Sequence, residues 1–412
     1  MEPIYVVGVG MTPFGRLLNR TVKDMTVESV SMAMTDAGIK AADIEAAYFS
    51  NAAQGHMDGQ HMIRGQIALR SMGIERIPVV NVENACASAS TAFNLAVTFL
   101  RSQAGDVALA VGTEKMVSHD KAHAMKSFDS AWDISTVESN RSELLGLGAG
   151  IEVPPGTTSD KPYSLFMDVY AAFARNHMHR YGTTQRQIAA VCSKNHGHST
   201  YNPLAQIRRS FTLEEVLASP PIAYPLTLPM CSPISDGSAA AILVTERGMR
   251  RLGVNTNRKV RVLASVIQTG SNRAADQPEL HCTVLAARRA YEIAGIGPSD
   301  VSVAEVHDAT AMGEIIQIEN LGFCEFGEGG ATSERGETTL GGRLPTNPSG
   351  GLESKGHPIG ATGLGQIYEI VVQLRGDAGK RQVDGASIGL AENGGGLVGI
   401  EEAVACITVL GR

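Results

Sequence analysis

The chain has 412 residues, of which 43% are apolar and 19% charged, a composition typical of folded globular proteins that excludes a largely disordered chain. Lys and Arg number 35 and Asp and Glu 42, and the resulting net charge of −7 excludes an overall basic protein that holds nucleic acid or anionic lipid. The apolar runs are too short for a membrane span, and neither end carries a recognisable targeting signal. We therefore expect a cytoplasmic enzyme.

The first stretch of the chain alternates apolar runs of strand type with helical patterns. The predicted elements, in chain order, are strand 4–9, helix 27–37, strand 46–51, strand 78–82, helix 87–101 and strand 106–111. From 117 to 235 this rhythm stops: the segment is richer in His, Ser and Pro and holds a longer helical pattern at 165–181. We interpret 117–235 as an inserted lid or loop domain.

The alternation resumes near residue 259. The predicted elements here are strand 260–268, helix 284–293, strand 301–306, helix 312–321, helix 363–374, strand 386–391 and strand 397–410. Such alternation predicts a mostly parallel sheet with helices on both faces. We divide the chain into an N-terminal α/β half (1–116 and 236–258), the insert (117–235) and a C-terminal α/β half (259–412).

The cysteine and glycine content limits which kinds of functional site the chain can contain. The six cysteines are scattered without a CxxC pair, which argues against a disulfide framework and a structural zinc site. No GxGxxG-like piece opens a helix in a βαβ unit with the expected acidic residue after it, and we expect no metal and no permanently bound cofactor. The 45 glycines exceed the usual share of about 7% by roughly half. Many follow apolar strands, which predicts a binding site built partly from main chain.

Cys86 is the first candidate catalytic residue. It follows the run IPVVNV by a short turn and opens the predicted helix 87–101. The positive end of a helix dipole favours a thiolate, and free backbone N–H groups there can stabilise an oxyanion. The alternative is a buried cysteine that acts as a small hydrophobic residue, which is the more common fate of a free thiol. Placement alone leaves both interpretations open.

Two histidines lie at similar turns. His357 stands in the glycine- and proline-rich loop NPSGGLESKGHPIGATG, and His307 forms a His-Asp pair directly after a predicted strand. Either one alone is typical of a capping or core histidine. Together with Cys86, each at a strand-to-helix turn, they predict one Cys/His acid–base constellation.

The tract Gly394–Gly396 predicts a hairpin turn between the last two strands. Glu392 and Asn393 precede it, and a carboxylate there is either a solvated turn residue or an acid/base group of the pocket. Trp132, the His-rich stretches 119–123 and 176–198, and the acidic segment 324–335 are predicted to lie at the surface.

Several motifs together resemble the thiolase superfamily, and specifically the sterol-carrier-protein-x type thiolases with their bacterial and archaeal relatives. The similarity covers almost the whole chain. In chain order the motifs are VENACASAS, VGTEKM, HRYGTTQRQIAAV, NPLAQIRRSFTLEEVL, PMCSPISDGSAAAIL, VHDAT and NPSGGLESKGHPIGATG. The resemblance implies two thiolase-type halves in a five-layer αβαβα fold, with the insert as a loop domain over the active site.

The resemblance also implies roles for individual residues. Cys86 would accept the acyl group, His357 would take its proton, and His307 would bind the thioester oxygen of the second substrate. The backbone N–H groups of Cys86 and Gly394 would form the other oxyanion hole. Asn393 and Gly356 would be substrate-binding positions.

This sequence departs from the family pattern at Glu392. Ordinary thiolases have a second cysteine there and many sterol-carrier-type relatives a histidine. Our hypothesis is that Glu392 replaces the second cysteine as acid/base, with its pKa raised from about 4.3 toward neutrality. The substitution is also consistent with a bulkier or substituted 3-oxoacyl-CoA substrate.

The resemblance implies an enzyme that cleaves a 3-oxoacyl-CoA with coenzyme A, or runs the reverse Claisen condensation. Coenzyme A is then a substrate, and the exposed-looking pair Arg208 and Arg209 could contact its phosphates or be an ordinary surface pair. Thiolases are usually homodimers or tetramers. Two alternatives stay open: a thiolase-fold retro-aldolase without an acyl-enzyme, and a subunit that is active only with a small zinc-ribbon/OB-fold protein.

Overall fold

The computed structural model describes residues 2–412. The first half contains, in chain order, β1 Ile4–Met11, α1 Val22–Ala37, β2 Ala46–Ser50, α2 Gln54–Asp58, α3 Arg64–Arg70, β3 Val79–Val82, α4 Ser88–Arg101 and β4 Val107–Glu114. Helix α1 begins earlier than its apolar pattern does, because Thr21 caps it in a capping box with Asp24. Within the described residues no helix is both long and apolar enough to cross a membrane.

Residues 117–235 contain only helices and a short two-stranded ribbon. These are α5 Lys121–Lys126, α6 Val137–Gly146, α7 Leu165–Tyr181, α8 Gln185–Ser199, α9 Leu213–Leu217, β5 Pro221–Ala223 and β6 Leu226–Thr227. The chain turns sharply between α7 and α8, since Gly182 adopts a φ of 76° after α7 and Thr184 caps α8.

The remaining elements complete the main sheet and its covering helices. They are β7 Gly237–Thr245, α10 Glu246–Leu252, β8 Val260–Thr269, α11 Cys282–Ala294, β9 Val303–Glu305, α12 Ala311–Asn320, α13 Gly329–Glu334, α14 Gly351–Lys355, α15 Thr362–Arg375, β10 Ile388–Val398 and β11 Glu401–Gly411. The nine long strands follow the order β3-β2-β4-β7-β1-β8-β11-β10-β9. The two halves meet in a narrow ladder between β1 and β8, at Tyr5 with Arg261 and Val6 with Val260.

The prediction of a mostly parallel sheet is wrong. Strand β2 runs parallel to β3 and β4, and β9 runs parallel to β10, but the other ladders are antiparallel. The reason lies in the connections: the long excursion through 117–235 returns the chain as β7 between β4 and β1, and β10 and β11 form a hairpin. The hairpin turn is at Gly399, with a φ of 61°, whereas Gly394–Gly396 lie inside β10.

The core is organised in layers. Helices α4 and α15 share one apolar cluster with strands of both halves, through side chains such as Phe93 and Ile367. Helices α1 and α3 cover the outer face of the first half, and α11 and α12 cover that of the second. This confirms the five-layer αβαβα arrangement, with α4 and α15 as the central layer.

Some residues predicted to lie at the surface are buried instead. Trp132 is 8% exposed and stacks on Phe166, with ring centroids 5.2 Å apart. Three histidines of the 176–198 stretch are also buried, because each finds a polar partner. His177 contacts Glu319 at 3.0 Å, His196 contacts the Pro229 carbonyl at 3.0 Å, and His198 contacts the Asn347 carbonyl at 3.0 Å.

Candidate active site

Cys86 lies in a tight turn between β3 and α4. The turn is a short 3-10 segment, Ala85–Ala87, in which Ala85 has a φ of 47°, a conformation that a residue with a side chain rarely adopts. It is held by two hydrogen bonds: the Ala85 N–H donates to Glu83 Oε1 (2.6 Å), and the Asn84 N–H donates to Ser88 Oγ (2.8 Å). The half-buried thiol therefore has a fixed direction.

His357 faces this thiol, and its tautomer follows from its neighbours. Nε2 lies 3.3 Å from Cys86 Sγ, and Nδ1 lies 2.7 Å from Thr362 Oγ1. The Thr362 hydroxyl donates to the Pro358 carbonyl, so it accepts the proton on Nδ1. Nε2 is then unprotonated and accepts from the thiol, which is the arrangement a general base requires.

His307 completes the constellation from the loop after β9. Its ring centroid lies 5.2 Å from that of His357, and one ligand atom each from Cys86, His307 and His357 lie within 4.8 Å of one another. Both ring nitrogens of His307 are buried and have no hydrogen-bond partner within residues 2–412. Since a buried donor without a partner is costly, this ring is arranged to meet a ligand.

Burial decides the protonation of the three groups. Burial, followed by the nearby Glu114, raises the pKa of Cys86 to about 12. Burial lowers the pKa of His307 to about 4 and, together with His307, lowers that of His357 well below its ordinary value. The helix dipole therefore does not produce a resting thiolate as expected; the site rests as a neutral thiol beside two neutral imidazoles.

Glu392 lies behind His307. Its Oε2 accepts the His307 backbone N–H at 2.8 Å, its Oε1 is buried without a partner in the described chain, and it does not line the catalytic cavity. Burial raises its pKa well above the ordinary value, which favours the neutral carboxylic acid over the carboxylate.

The remaining predicted positions are Asn393 and Gly394, Gly356, and the pair Arg208 and Arg209. Most of them pack against other parts of the site. Asn393 is buried and its Oδ1 accepts from Ser90 Oγ at 3.0 Å. Gly394 faces Glu402: a Cβ on Gly394 would lie 2.8 Å from Glu402 Cγ. Gly356, with a φ of 111°, precedes His357 and would place a Cβ 2.7 Å from Ser235 Oγ. Arg208 and Arg209 are exposed.

Gly395 and Gly396, rather than Gly394, line the cavity next to Cys86. A Cβ on Gly395 would lie 2.4 Å from the Asn84 carbonyl oxygen and 2.6 Å from the Ala87 nitrogen. Only glycine allows strand β10 of the second half to pack directly against the turn that carries the thiol.

The catalytic cavity has a volume of about 280 Å³. Cys86, His307 and His357 lie in its wall, and most of the remaining wall is apolar or aromatic. The helical segment 117–235 supplies much of this surface, including Met125, Phe128, Phe166, Met167, Tyr170 and Phe173.

Sequence reasoning missed several residues that hold the site together. Glu114, at the end of β4, accepts the backbone N–H groups of Ala52, Ala53 and Gly360, so it ties the His357 loop to the first half. Burial raises its pKa to about 7. Glu114 stands in the quoted motif VGTEKM, and a carboxylate ending an apolar strand was the available signal. Thr362 and Glu402 were also missed.

Two clusters offer several metal-type ligands. In the first, Cys86 and His357 already hydrogen-bond each other. In the second, His281, Cys282 and Glu401 lie together, but Arg273 and Ser271 already occupy the Glu401 carboxylate. Each set thus contains ligand atoms that already have partners within the chain, whereas the two ring nitrogens of His307 in the first set have none in the described residues.

Two family models match the chain: the model "Thiolase, N-terminal domain" over residues 4–247 and "Thiolase C-terminal domain-like" over residues 265–412. Among curated proteins, an acetyl-CoA acetyltransferase of Methanothermobacter thermautotrophicus is 40% identical over 405 residues, covering 97% of this chain and 98% of that protein. Sterol carrier protein 2 of Bos taurus is 37% identical, covering 97% of this chain and 71% of that protein.

Solved structures share the same fold at lower sequence identity. An Ltp2-ChsH2(DUF35) aldolase superposes with a TM-score of 0.78 at 22% identity, covering 100% of this chain and 98% of that one. Human mitochondrial 3-ketoacyl-CoA thiolase superposes with a TM-score of 0.68 at 15% identity, covering 100% and 99%. At these identities the two structures establish the fold alone.

Proposed function

Because the chain belongs to the thiolase family, we propose that it cleaves a 3-oxoacyl-CoA with coenzyme A, or runs the reverse Claisen condensation, through an acyl-Cys86 intermediate. The chain is a thiolase-type acyltransferase by its two domain matches and by its full-length similarity to an archaeal acetyl-CoA acetyltransferase. The observation that carries the acyl-enzyme step is the 3.3 Å contact between Cys86 Sγ and an unprotonated His357 Nε2.

In the first half-reaction the Cys86 sulfur attacks the C3 carbonyl carbon of the 3-oxoacyl-CoA while its proton moves to His357 Nε2. The thiol and imidazole start neutral and become an ion pair only as the bond forms. The C2–C3 bond then breaks, leaving the acyl group on sulfur and releasing acetyl-CoA as an enolate that must gain a proton at C2.

The second half-reaction transfers the acyl group from Cys86 to the thiol of coenzyme A. In the first half-reaction the unpartnered ring of His307 supplies a hydrogen bond to the thioester oxygen of the acetyl-CoA portion, where the negative charge of the enolate develops. We assign to Glu392 the proton that the enolate gains: burial raises the pKa of this carboxyl, which favours its protonated form. The carboxyl lies behind His307 and outside the cavity wall, so this role requires a bridging group that carries the proton to C2. If Glu392→Gln retained full thiolysis activity, this role for Glu392 would be wrong.

The wall of the cavity supports a bulky or substituted acyl group. Phe128, Phe166 and Phe173 give it flat apolar surfaces, which favour branched, cyclic or aromatic groups through contact area.

We also propose that the protein forms a homodimer or tetramer in the cytoplasm. Strand β3 is at the edge of the sheet and Val80 is 42% exposed, a surface that another copy could cover. The six cysteines are free, as is usual in a reducing compartment. A zinc-ribbon/OB-fold subunit is part of this proposal only if the purified chain alone proves inactive.

The test is intact-protein mass after brief incubation with acetyl-CoA and with longer and aromatic acyl-CoAs, comparing wild type with Cys86→Ala. A mass increase equal to the acyl group in the wild type, absent from the variant, is the expected result. Labelling rates then rank the acyl groups. No adduct with any donor would contradict the acyl-enzyme proposal and favour the aldolase or partner-dependent alternative.

A further inference from the structure

One carboxylate lies in the wall of the catalytic cavity and takes no part in the chemistry described above. Glu402, near the start of β11, is the one carboxylate among the residues of the described chain that line this cavity. Its side chain is 13% exposed. A carboxylate is a costly group to place in a mostly apolar cavity wall unless hydrogen-bond donors satisfy it.

Glu402 is held from one side only. His281 Nε2 lies 3.0 Å from its Oε2, and Gln317 Nε2 donates to its Oε1 at 2.9 Å. His281 and Gln317 line a second cavity of about 110 Å³, not the catalytic one. A carboxylate accepts about four hydrogen bonds, so Glu402 is anchored from the second cavity and keeps acceptor capacity toward the catalytic cavity.

The charge of Glu402 persists in this place. Burial raises its pKa, but the charge and hydrogen bond of the adjacent His281, together with a backbone hydrogen bond and His307, lower it to about 2. Tyr170 lines both cavities too, and after burial Glu402 is the largest influence that raises the pKa of this phenol. Tyr170 and Glu402 thus make a polar patch in the cavity wall.

We infer that Glu402 is a specificity-determining residue that accepts a hydrogen bond from a donor on the acyl chain, so the favoured substrate is a 3-oxoacyl-CoA whose acyl group carries a hydroxyl or similar donor. This rests on the proposed thiolase function and specifies the substrate class of the same site. The apolar walls hold the carbon skeleton, while Glu402 selects the substituent.

The test uses matched 3-oxoacyl-CoA pairs, one ending in a methyl and one in a hydroxyl group, across a series of chain lengths. The wild type is expected to prefer the hydroxylated member by about 10- to 100-fold in kcat/KM at the length that reaches Glu402, the range of a hydrogen bond to a charged group. In Glu402→Gln this ratio is expected to fall toward unity, mainly through KM.

The matched control is Glu319→Gln. Glu319 forms a similar buried pair with His177 at 3.0 Å and lines the second cavity but not the catalytic one. It is expected to keep the wild-type hydroxyl preference. Thermal unfolding of both variants checks that each is folded.

Three outcomes would overturn the inference while leaving the thiolase function intact: wild-type cleavage without a hydroxyl preference at any length, a preference that Glu402→Gln retains, or an equal loss of kcat or equal rise of KM for both members of each pair. An equal loss would place Glu402 in the chemistry or against the coenzyme A portion instead. If the wild type cleaves no substrate and forms no acyl-enzyme, the proposed function fails with it.

Discussion

The loops that carry the two active-site histidines differ in how they treat the imidazole ring. His357 is bound at both nitrogens, by Thr362 and by the nucleophile. His307 lies beside it at equal depth, yet neither of its nitrogens has a partner in the described chain. The difference fits the two roles that we propose. A general base needs a fixed tautomer before the substrate arrives, whereas a ring that binds the substrate must keep its nitrogens free for hydrogen bonds to it.

The largest effect is expected from His357→Gln. Without the Nε2 acceptor, the thiol, whose pKa is about 12, has no group to take its proton at neutral pH. Acyl-enzyme formation should slow by about 10³- to 10⁴-fold, which single-turnover mass spectrometry measures. A loss below tenfold would mean that another group takes the proton.

His307→Ala should follow, with a loss of about 10²- to 10³-fold in the cleavage of the C2–C3 bond, the step in which the enolate forms. Transfer of the acyl group from Cys86 to coenzyme A should suffer less, because no enolate forms in that step and the Cys86–His357 contact remains. The two half-reactions are measured separately, and equal losses in both would break the distinction between the two rings.

The unpartnered ring of His307 also makes the free energy of unfolding depend on pH. In the folded protein burial lowers the pKa of His307 from 6.5 to about 4. Above pH 6.5 the ring is neutral in both the folded and the unfolded chain, so its protonation does not affect the free energy of unfolding. As pH falls from 6.5 toward 4, the unfolded chain takes up a proton that the folded one refuses, and the folded state loses about 3 kcal/mol. Denaturant unfolding at several pH values should show a shallower slope in His307→Gln than in the wild type; some slope remains because burial also lowers the pKa of His196, His198 and His357. Parallel curves for the two proteins would contradict it.

Thr362→Val is expected to give the smallest effect, about 10- to 100-fold in kcat. Valine keeps the volume but cannot accept the Nδ1 proton, so the imidazole populates the tautomer that presents N–H to the thiol. Thr362→Ser should restore most of the rate. If serine behaves like valine, the methyl group and not the hydroxyl orients the ring.

Local patterns were enough to predict the parts of the site that follow strand ends. The structure brings Cys86, His307 and His357 together, and the first two lie at strand-to-helix turns as predicted; His357 instead lies between helices α14 and α15. Helix α7 has the predicted bounds because its apolar pattern, cap and terminal glycine agree. Whether each of the three residues has its predicted role remains to be tested by the substitutions above.

Other features depend on long-range packing that no local pattern encodes. Glu402 reaches the cavity because β10 and β11 pair in a register that places it opposite Leu397. The direction of β7 depends on where residues 117–235 return the chain. Trp132 is buried because Phe166, distant in sequence, lies over it.

The close approach of Gly395 to the Cys86 turn has a consequence for synthesis. Cys86 and His357, which we propose as nucleophile and base, are 271 residues apart, and the strand that completes the cavity wall is near the end of the chain. At typical translation speeds the thiol leaves the ribosome roughly 15 to 55 seconds before its base. During that interval the nascent chain carries a cysteine without its base. Acyl transfer begins only when the β10–β11 hairpin packs against the Cys86 turn.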